Sequence, residues 1–402
     1  MTTRTTTHFL RTEAGAGSLL AVAAIVAVLW ANSPWSPIYF GFLEAKVPVR
    51  IGGWAETHSV LEWIKEGLMA VFFLVVGLEI KHEVLRGELS NPRKLALPVI
   101  AAIGGMAVPA LIYLAVNAVP GGDMRGWSAP VATDIAFALA ALAAVGRGLP
   151  PSLRIFLLTL AIVDDLGAVL IIAFAYSGAP DWTALGGAAA VLVAMALLGR
   201  WRRPNMVLWT AGFLLVWALF LRSGVSTSMA GVLSAMTVPV QSRTEGRPGP
   251  LKESMEALHP YVAFLILPLF AFAAAGLDVR GGGASPLSPP ALGVILGLVA
   301  GKGLGVFGAA WLAVRTGLAH RPTGAEWREL FGVSLLCGVG FTMSLFLAAL
   351  AFPYGEASLE SVKLGVLSGS VLAVLCGWAV LIPSARRRRN SRAQAEDDPS
   401  AA

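Results

Sequence analysis

The chain has 402 residues, 56% of them hydrophobic and 13% charged, with a formal net charge of +6. Soluble domains carry about 25% charged residues, so a fold built to face water is excluded. The two cysteines, Cys337 and Cys376, fall inside apolar runs, which argues against a disulfide framework or a CxxC metal site.

The apolar residues lie in long uninterrupted runs rather than in a two-residue or heptad pattern. Runs able to cross about 30 Å of hydrocarbon read as transmembrane helices. In lipid, every backbone polar group must be paired internally, and these runs are too long and too uniformly apolar for barrel strands. The expected fold class is an all-α polytopic membrane protein.

In chain order, Arg4 and Arg11 precede the first run, which begins GSLLAVAAIVAVLW. Because no small-x-small cleavage site follows in VLWANSPW, residues 1–14 read as an N-terminal tail and 15–32 as a span. The segment KVPVRIGG from Lys46 alternates apolar and polar residues and ends in Gly-Gly, which predicts a short β-hairpin over 46–55. Its free edges could join two subunits.

The second span, 60–84, ends in VVGLEIKHEVLRGELS, placing Glu79, His82 and Glu83 within one helical turn. That group is either a snorkelling helix end or a cation funnel that reports pH through His82. Further spans are predicted near 94–118, 126–145, 150–176, 182–199, 205–221, 223–240, 255–276, 290–314, 329–351 and 358–382, about twelve in all. Glu256 and His259, at the start of the ninth, are further candidates for the funnel.

An ionisable group at the bilayer centre costs about 2.5–3.5 kcal/mol, so each one needs a reason. Asp164 and Asp165 adjoin in the middle of IFLLTLAIVDDLGAVLIIAFAY, and no deep arginine is available to neutralise them. Paired carboxylates offer hard oxygen ligands to Na⁺ or Li⁺ and accept protons at the same atoms, the minimum chemistry of an exchanger. Both are therefore the predicted Na⁺ ligands and proton carriers.

Asp134 lies in SAPVATDIAFALAAL, where Pro130 breaks the helix and Thr133 with Asp134 can cap a half-helix that starts anew. Asp134 either caps exposed dipole ends or lines the ion path, and Thr133 could lend an oxygen to the ion. Lys302, in LGLVAGKGLGVFGAAW, is the counter-charge to the aspartates, as a salt-bridge partner or as a proton carrier. The segment LLCGVGFTMSLF, with Gly338, Gly340 and Thr342, is a second interrupted span. Interruptions in the middle of two corresponding helix triplets suggest inverted repeats with the site between them.

An even span count puts both termini on one side, and the surplus of Arg and Lys in alternate loops makes that side cytoplasmic. The run Arg386–Arg389 opens a tail over 385–402, basic and then acidic, and reads as an anchor to anionic lipid rather than a nucleic-acid site. The membrane domain is then 15–384.

Taken together, ATDIAFAL, AIVDDLGA, MAVFFLVVGLEIKHE, LHPYVAFLILPLFAFA and GKGLGV resemble, in that order, the NhaA-type sodium/proton antiporters over nearly the whole chain. The resemblance implies a bacterial inner-membrane protein of twelve helices, with two crossing discontinuous helices and an external hairpin that makes a homodimer. It also implies electrogenic exchange of two protons for one sodium, with Asp164 and Asp165 as carriers, Lys302 pairing with Asp164 in the proton-loaded state, and Asp134 balancing broken helix ends. No enzyme activity, organic cofactor or nucleic-acid partner is implied. Ser226 stands where some members have histidine and His82 where an arginine is common, which bears on the pH profile.

Three other functions fit less well. A sodium-coupled symporter needs selective polar side chains around a larger solute. An intramembrane aspartyl protease needs a GxGD sequence and two aspartates from different helices. A passive channel explains neither the lysine nor the titrating aspartates.

Overall fold

The computed structural model describes residues 13–51, 54–87, 92–145, 148–176, 180–201, 206–240, 249–278, 285–352 and 356–397. Arg4 and Arg11, the hairpin tip at Gly52 and Gly53, and loop arginines such as Arg147, Arg202, Arg203, Arg243 and Arg247 lie outside those residues.

Helix α1 (Glu13–Ala31) bends by 111° into α2 (Ser36–Glu44). The hairpin follows, with β1 (Lys46–Ile51) antiparallel to β2 (Trp54–Ser59) and Val47 opposite His58. Ser59 and Glu62 form a capping box that starts a helical run over 60–86, through a π turn at Ile64–Leu68 into α3 (Met69–Arg86). Next come α4 (Pro92–Val116), a 3₁₀ turn at Met124–Ser128, α5 (Ile135–Val145) and α6 (Pro151–Ala175). Then α7 (Trp182–Trp201), α8 (Met206–Ser223) and α9 (Ser228–Thr237) lead to α10 (Pro250–Ala274) and α11 (Pro289–Arg315), which both contain π turns. The chain ends with α12 (Trp327–Leu336), α13 (Phe341–Ala351) and α14 (Ala357–Asp397). Proline in the first turn of α2, α10 and α11 fits helix starts, where its missing N–H costs nothing.

Among the described residues, seven helices are long and apolar enough to cross a membrane. The bent pairs α1–α2 and α12–α13, the latter turning by 46°, raise that number to nine. The run over 60–86 carries too many charges to pass on composition, and α5 and α9 are short. In place of one helix over 126–145 the chain runs through the 3₁₀ turn and a non-helical stretch before α5 starts. The 223–240 run yields only the ten-residue α9.

Two compact units are present. One holds the described residues within 1–21, 91–165 and 278–402. In it, α4 packs on α11 through Gly104 and Gly305, each of which leaves no room for a Cβ against the other's backbone carbonyl. Helix α14 packs on α11 and on α12.

The second unit holds residues within 22–90 and 166–277. There α3 packs on α9, where Gly231 meets the backbone at Ala70, Phe73 and Leu74, and α7 packs on α8. Its core includes Leu78, Met195, Trp209, Val216 and Phe220. Lys81 closes the C-terminal end of α9, donating to the Met236 and Val238 carbonyls at 2.6 and 2.7 Å.

Candidate functional site

Within the first unit, two helix interruptions meet. The stretch that ends at Asp134 is non-helical up to the start of α5, and the stretch 337–340 separates α12 from α13. The Asp134 backbone N–H donates to the Val339 carbonyl at 2.7 Å, and Thr133 Oγ1 lies 2.9 Å from the Cys337 carbonyl. Backbone groups freed by each break are thus satisfied by the other, which is how non-helical chain survives away from water.

Asp134 serves two helix starts at once. Its Oδ1 accepts from Phe137 N–H, at the third position of α5, at 3.0 Å. Its Oδ2 accepts from Thr342 N–H at 3.2 Å and from Thr342 Oγ1 at 2.5 Å, at the start of α13. A carboxylate there compensates the positive ends of both half-helices.

Asp164 is 1% exposed and Asp165 3% exposed, side by side on α6 and about 100° apart around it. Lys302, fully buried at the end of the π turn in α11, forms an ion pair with Asp164 Oδ2. Thr133 Oγ1 approaches the same oxygen at 2.6 Å. A hydroxyl has one proton, so Thr133 donates to Asp164 or to Cys337 O but not to both at once. Asp164 Oδ1 is buried and accepts no hydrogen bond from the described residues.

Helix α4 packs against the lysine's neighbourhood through Gly105. A Cβ at Gly105 would strike Val306 and stand 3.9 Å from Lys302 Nζ. The arrangement is two buried carboxylates with one ammonium, a hydroxyl and a bare oxygen. Carboxylate and hydroxyl oxygens of this kind suit small hard cations and accept protons at the same atoms.

The other candidates lie in the second unit. Glu79 Oε1 stands 3.5 Å from His259 Nδ1, and His82 Nδ1 stands 3.9 Å from Glu83 Oε1. Glu256 is exposed and faces Lys252 one turn away at 3.7 Å. Ser226 is half-buried just before α9, and its carbonyl accepts from Met229 N–H.

Two features have no signal in the sequence, and only the first belongs to the site. The Cys337 and Val339 carbonyls are backbone groups, which any side chain could accompany. Lys363 is a second buried lysine among the described residues, bonded to Glu360 at 2.8 Å on α14.

Residues 7–381 match the profile of a family described as Na⁺/H⁺ antiporter 1. The chain is 46% identical over 385 residues to the Na(+)/H(+) antiporter NhaA of Pseudomonas fluorescens, covering 95% of this chain and 97% of that protein. It is 48% identical over 378 residues to the protein of that name from Bordetella parapertussis, covering 93% and 95%. The same name is carried by a Nitrobacter hamburgensis protein, 48% identical over 375 residues, 93% of this chain and 90% of that one. On this match across nearly its whole length, the chain belongs to the NhaA-type Na⁺/H⁺ antiporter 1 family.

Proposed function

We propose that the protein moves Na⁺ or Li⁺ out of the cytoplasm in exchange for external protons, by alternating access at Asp164 and Asp165. It is a transporter, not an enzyme, and the mechanism calls on no cofactor. The observation that carries the reading is the buried Asp164, held by Lys302 and Thr133 on one oxygen and bare on the other.

In this reading the Lys302–Asp164 pair is the proton-loaded form. An incoming Na⁺ takes the oxygens of Asp164 and Asp165, and Thr133 lends it a further oxygen. Lys302 is thereby released from the pair, and protons leave toward the cytoplasm. Release of Na⁺ outside lets two protons return for each sodium, so each cycle moves net charge. Asp134 keeps the two half-helix ends neutralised throughout. Whether Lys302 supplies the second proton or only the counter-charge is separated by counting protons in Lys302 variants.

The reading extends to twelve spans in inverted repeats, residues 15–384 as the membrane domain, cytoplasmic tails at 1–14 and 385–402, and the bacterial inner membrane. The hairpin over 46–55, whose described side chains are mostly exposed, is the proposed dimer contact. Glu79, His82, Glu83, Glu256 and His259 form the proposed pH-responsive cation funnel.

Proteoliposomes carrying a pH-sensitive dye test the function. Na⁺ and Li⁺, but not K⁺, should dissipate an imposed pH gradient, and Asp165→Asn should abolish the effect. Normal exchange by Asp165→Asn would reject the site, and silence from folded wild type would reject the exchange.

A further inference from the structure

The basic run at the end of the last span has buried business as well as a surface. Arg386, Arg387 and Arg389 are exposed on α14, as a lipid anchor requires, but Arg388 is half-buried and turns to a buried carboxylate. Arg388 Nε donates to Glu329 Oε1 at 2.5 Å and its Nη2 to Glu329 Oε2 at 2.9 Å, a two-pronged bond. The same Nη2 donates to the Gly324 carbonyl at 2.7 Å, and Arg387 Nη2 to Glu326 Oε2 at 2.5 Å.

Glu329 is 0% exposed. It is also part of the capping box at the start of α12, where its Oε2 accepts from Glu326 N–H at 2.8 Å. A membrane anchor has no need of a buried carboxylate on another helix.

The opposite end of α12 reaches the ion site. This ten-residue helix, about 15 Å long, ends beside Cys337, whose carbonyl meets Thr133, which in turn meets Asp164. Between its two ends α12 packs closely on α14, where Leu381 fills the space at Gly332 and Leu336 the space at Gly377. That seam brings the two helices close, and the forked ion pair adds a directional contact at the far end of α12.

We propose that Arg388 and Glu329 are positioning residues that fix the height and rotation of α12, and through it the carbonyl that holds Thr133 against Asp164. The proposal rests on the exchange reading above. Its consequence is that breaking the pair, far along the helix from the aspartates, weakens the cation site rather than only the fold.

The test uses the full-length protein in proteoliposomes, with NaCl titrated against dissipation of a pH gradient. Glu329→Gln and Arg388→Gln should each raise the apparent KM for Na⁺ about tenfold, the lower end for residues that orient metal ligands, with maximal rate within about twofold. The double exchange Glu329→Arg with Arg388→Glu should recover much of the loss, and Arg386→Gln should match wild type. Should the glutamine variants not fold, Arg388→Lys keeps the charge and removes the fork, and a rise of roughly threefold in KM is expected. An unchanged KM in whichever of these variants folds overturns the positioning role while leaving the exchange reading in place. Wild type that does not answer Na⁺ at all overturns both.

Discussion

Thr133 places its hydroxyl 2.6 Å from Asp164 Oδ2, on the oxygen that also holds Lys302, and 2.9 Å from the Cys337 carbonyl. One proton between two acceptors lets the hydroxyl follow the charge of Asp164: it donates to the carboxylate, or turns to the carbonyl when Asp164 itself carries a proton. Thr133→Val keeps the shape and removes the hydroxyl. It should raise the apparent KM for Na⁺ about tenfold, while Thr133→Ser stays near wild type. Equal KM values for all three would show that the hydroxyl does nothing for the ion.

Asp134 gathers three hydrogen bonds from two helix starts. Asp134→Ala would strand the buried Thr342 donors, at about 1–3 kcal/mol for each group left unsatisfied, and the half-buried Phe137 N–H at less. Asp134→Asn keeps one acceptor oxygen and should cost less. Thermal unfolding in detergent should therefore rank wild type above the asparagine variant and that above the alanine variant. Identical midpoints for alanine and asparagine would contradict the double-cap role.

Much of this was readable from sequence because membrane physics is strict. Charges in mid-span stand out against apolar neighbours, so Asp164, Asp165 and Lys302 could be named before any geometry was known. What pairs them could not. The π turn that ends at Lys302 has no residue signature, and the carbonyls of Cys337 and Val339 belong to the backbone. The nine-residue α2, among Pro34, Pro37 and Trp35, is too short to register as a span. Glu329 and Arg388 lie 59 positions apart, and nothing in either segment announces the other. The arginine run reads as a lipid-anchored tail beyond the last span, yet arginine is a good helix former, and α14 continues through it to Asp397.

Gly305 bears on the lysine through packing. A Cβ there would run into the Gly104 carbonyl and Val108 on α4, while Lys302 sits one turn earlier on the same helix. Gly305→Val should part α4 from α11, lower the thermal midpoint and reduce exchange by roughly tenfold or more, since overpacking at such contacts costs about 1–3 kcal/mol. Wild-type exchange by that variant would mean that close contact of α4 and α11 is not needed to place Lys302.

Away from the spans, Asp123 offers a test against acid. Its carboxyl is held below the usual carboxylate range by the Arg125 side chain, against a partial burial that pushes it up. The two side chains meet at 2.7 Å, and Arg125 also bonds Glu356 at 2.8 Å. A carboxyl lowered in the folded protein stabilises the fold above the unfolded value of about 3.9, and that contribution fades as pH falls through the lowered folded value. Asp123→Asn should therefore be less stable than wild type near neutrality and should converge with it below about pH 4. Thermal midpoints that stay a constant distance apart across that range would contradict it.

The central claim is that cation and protons compete for Asp164 and Asp165. Calorimetric titration of the purified protein with NaCl, at several pH values and in buffers of different ionisation enthalpy, measures both partners of that competition. Competition requires Na⁺ to bind more weakly as pH falls, to release protons on binding, and to lose its site in Asp164→Asn and Asp165→Asn. Sodium binding of unchanged affinity across pH, with no proton released, would contradict it directly.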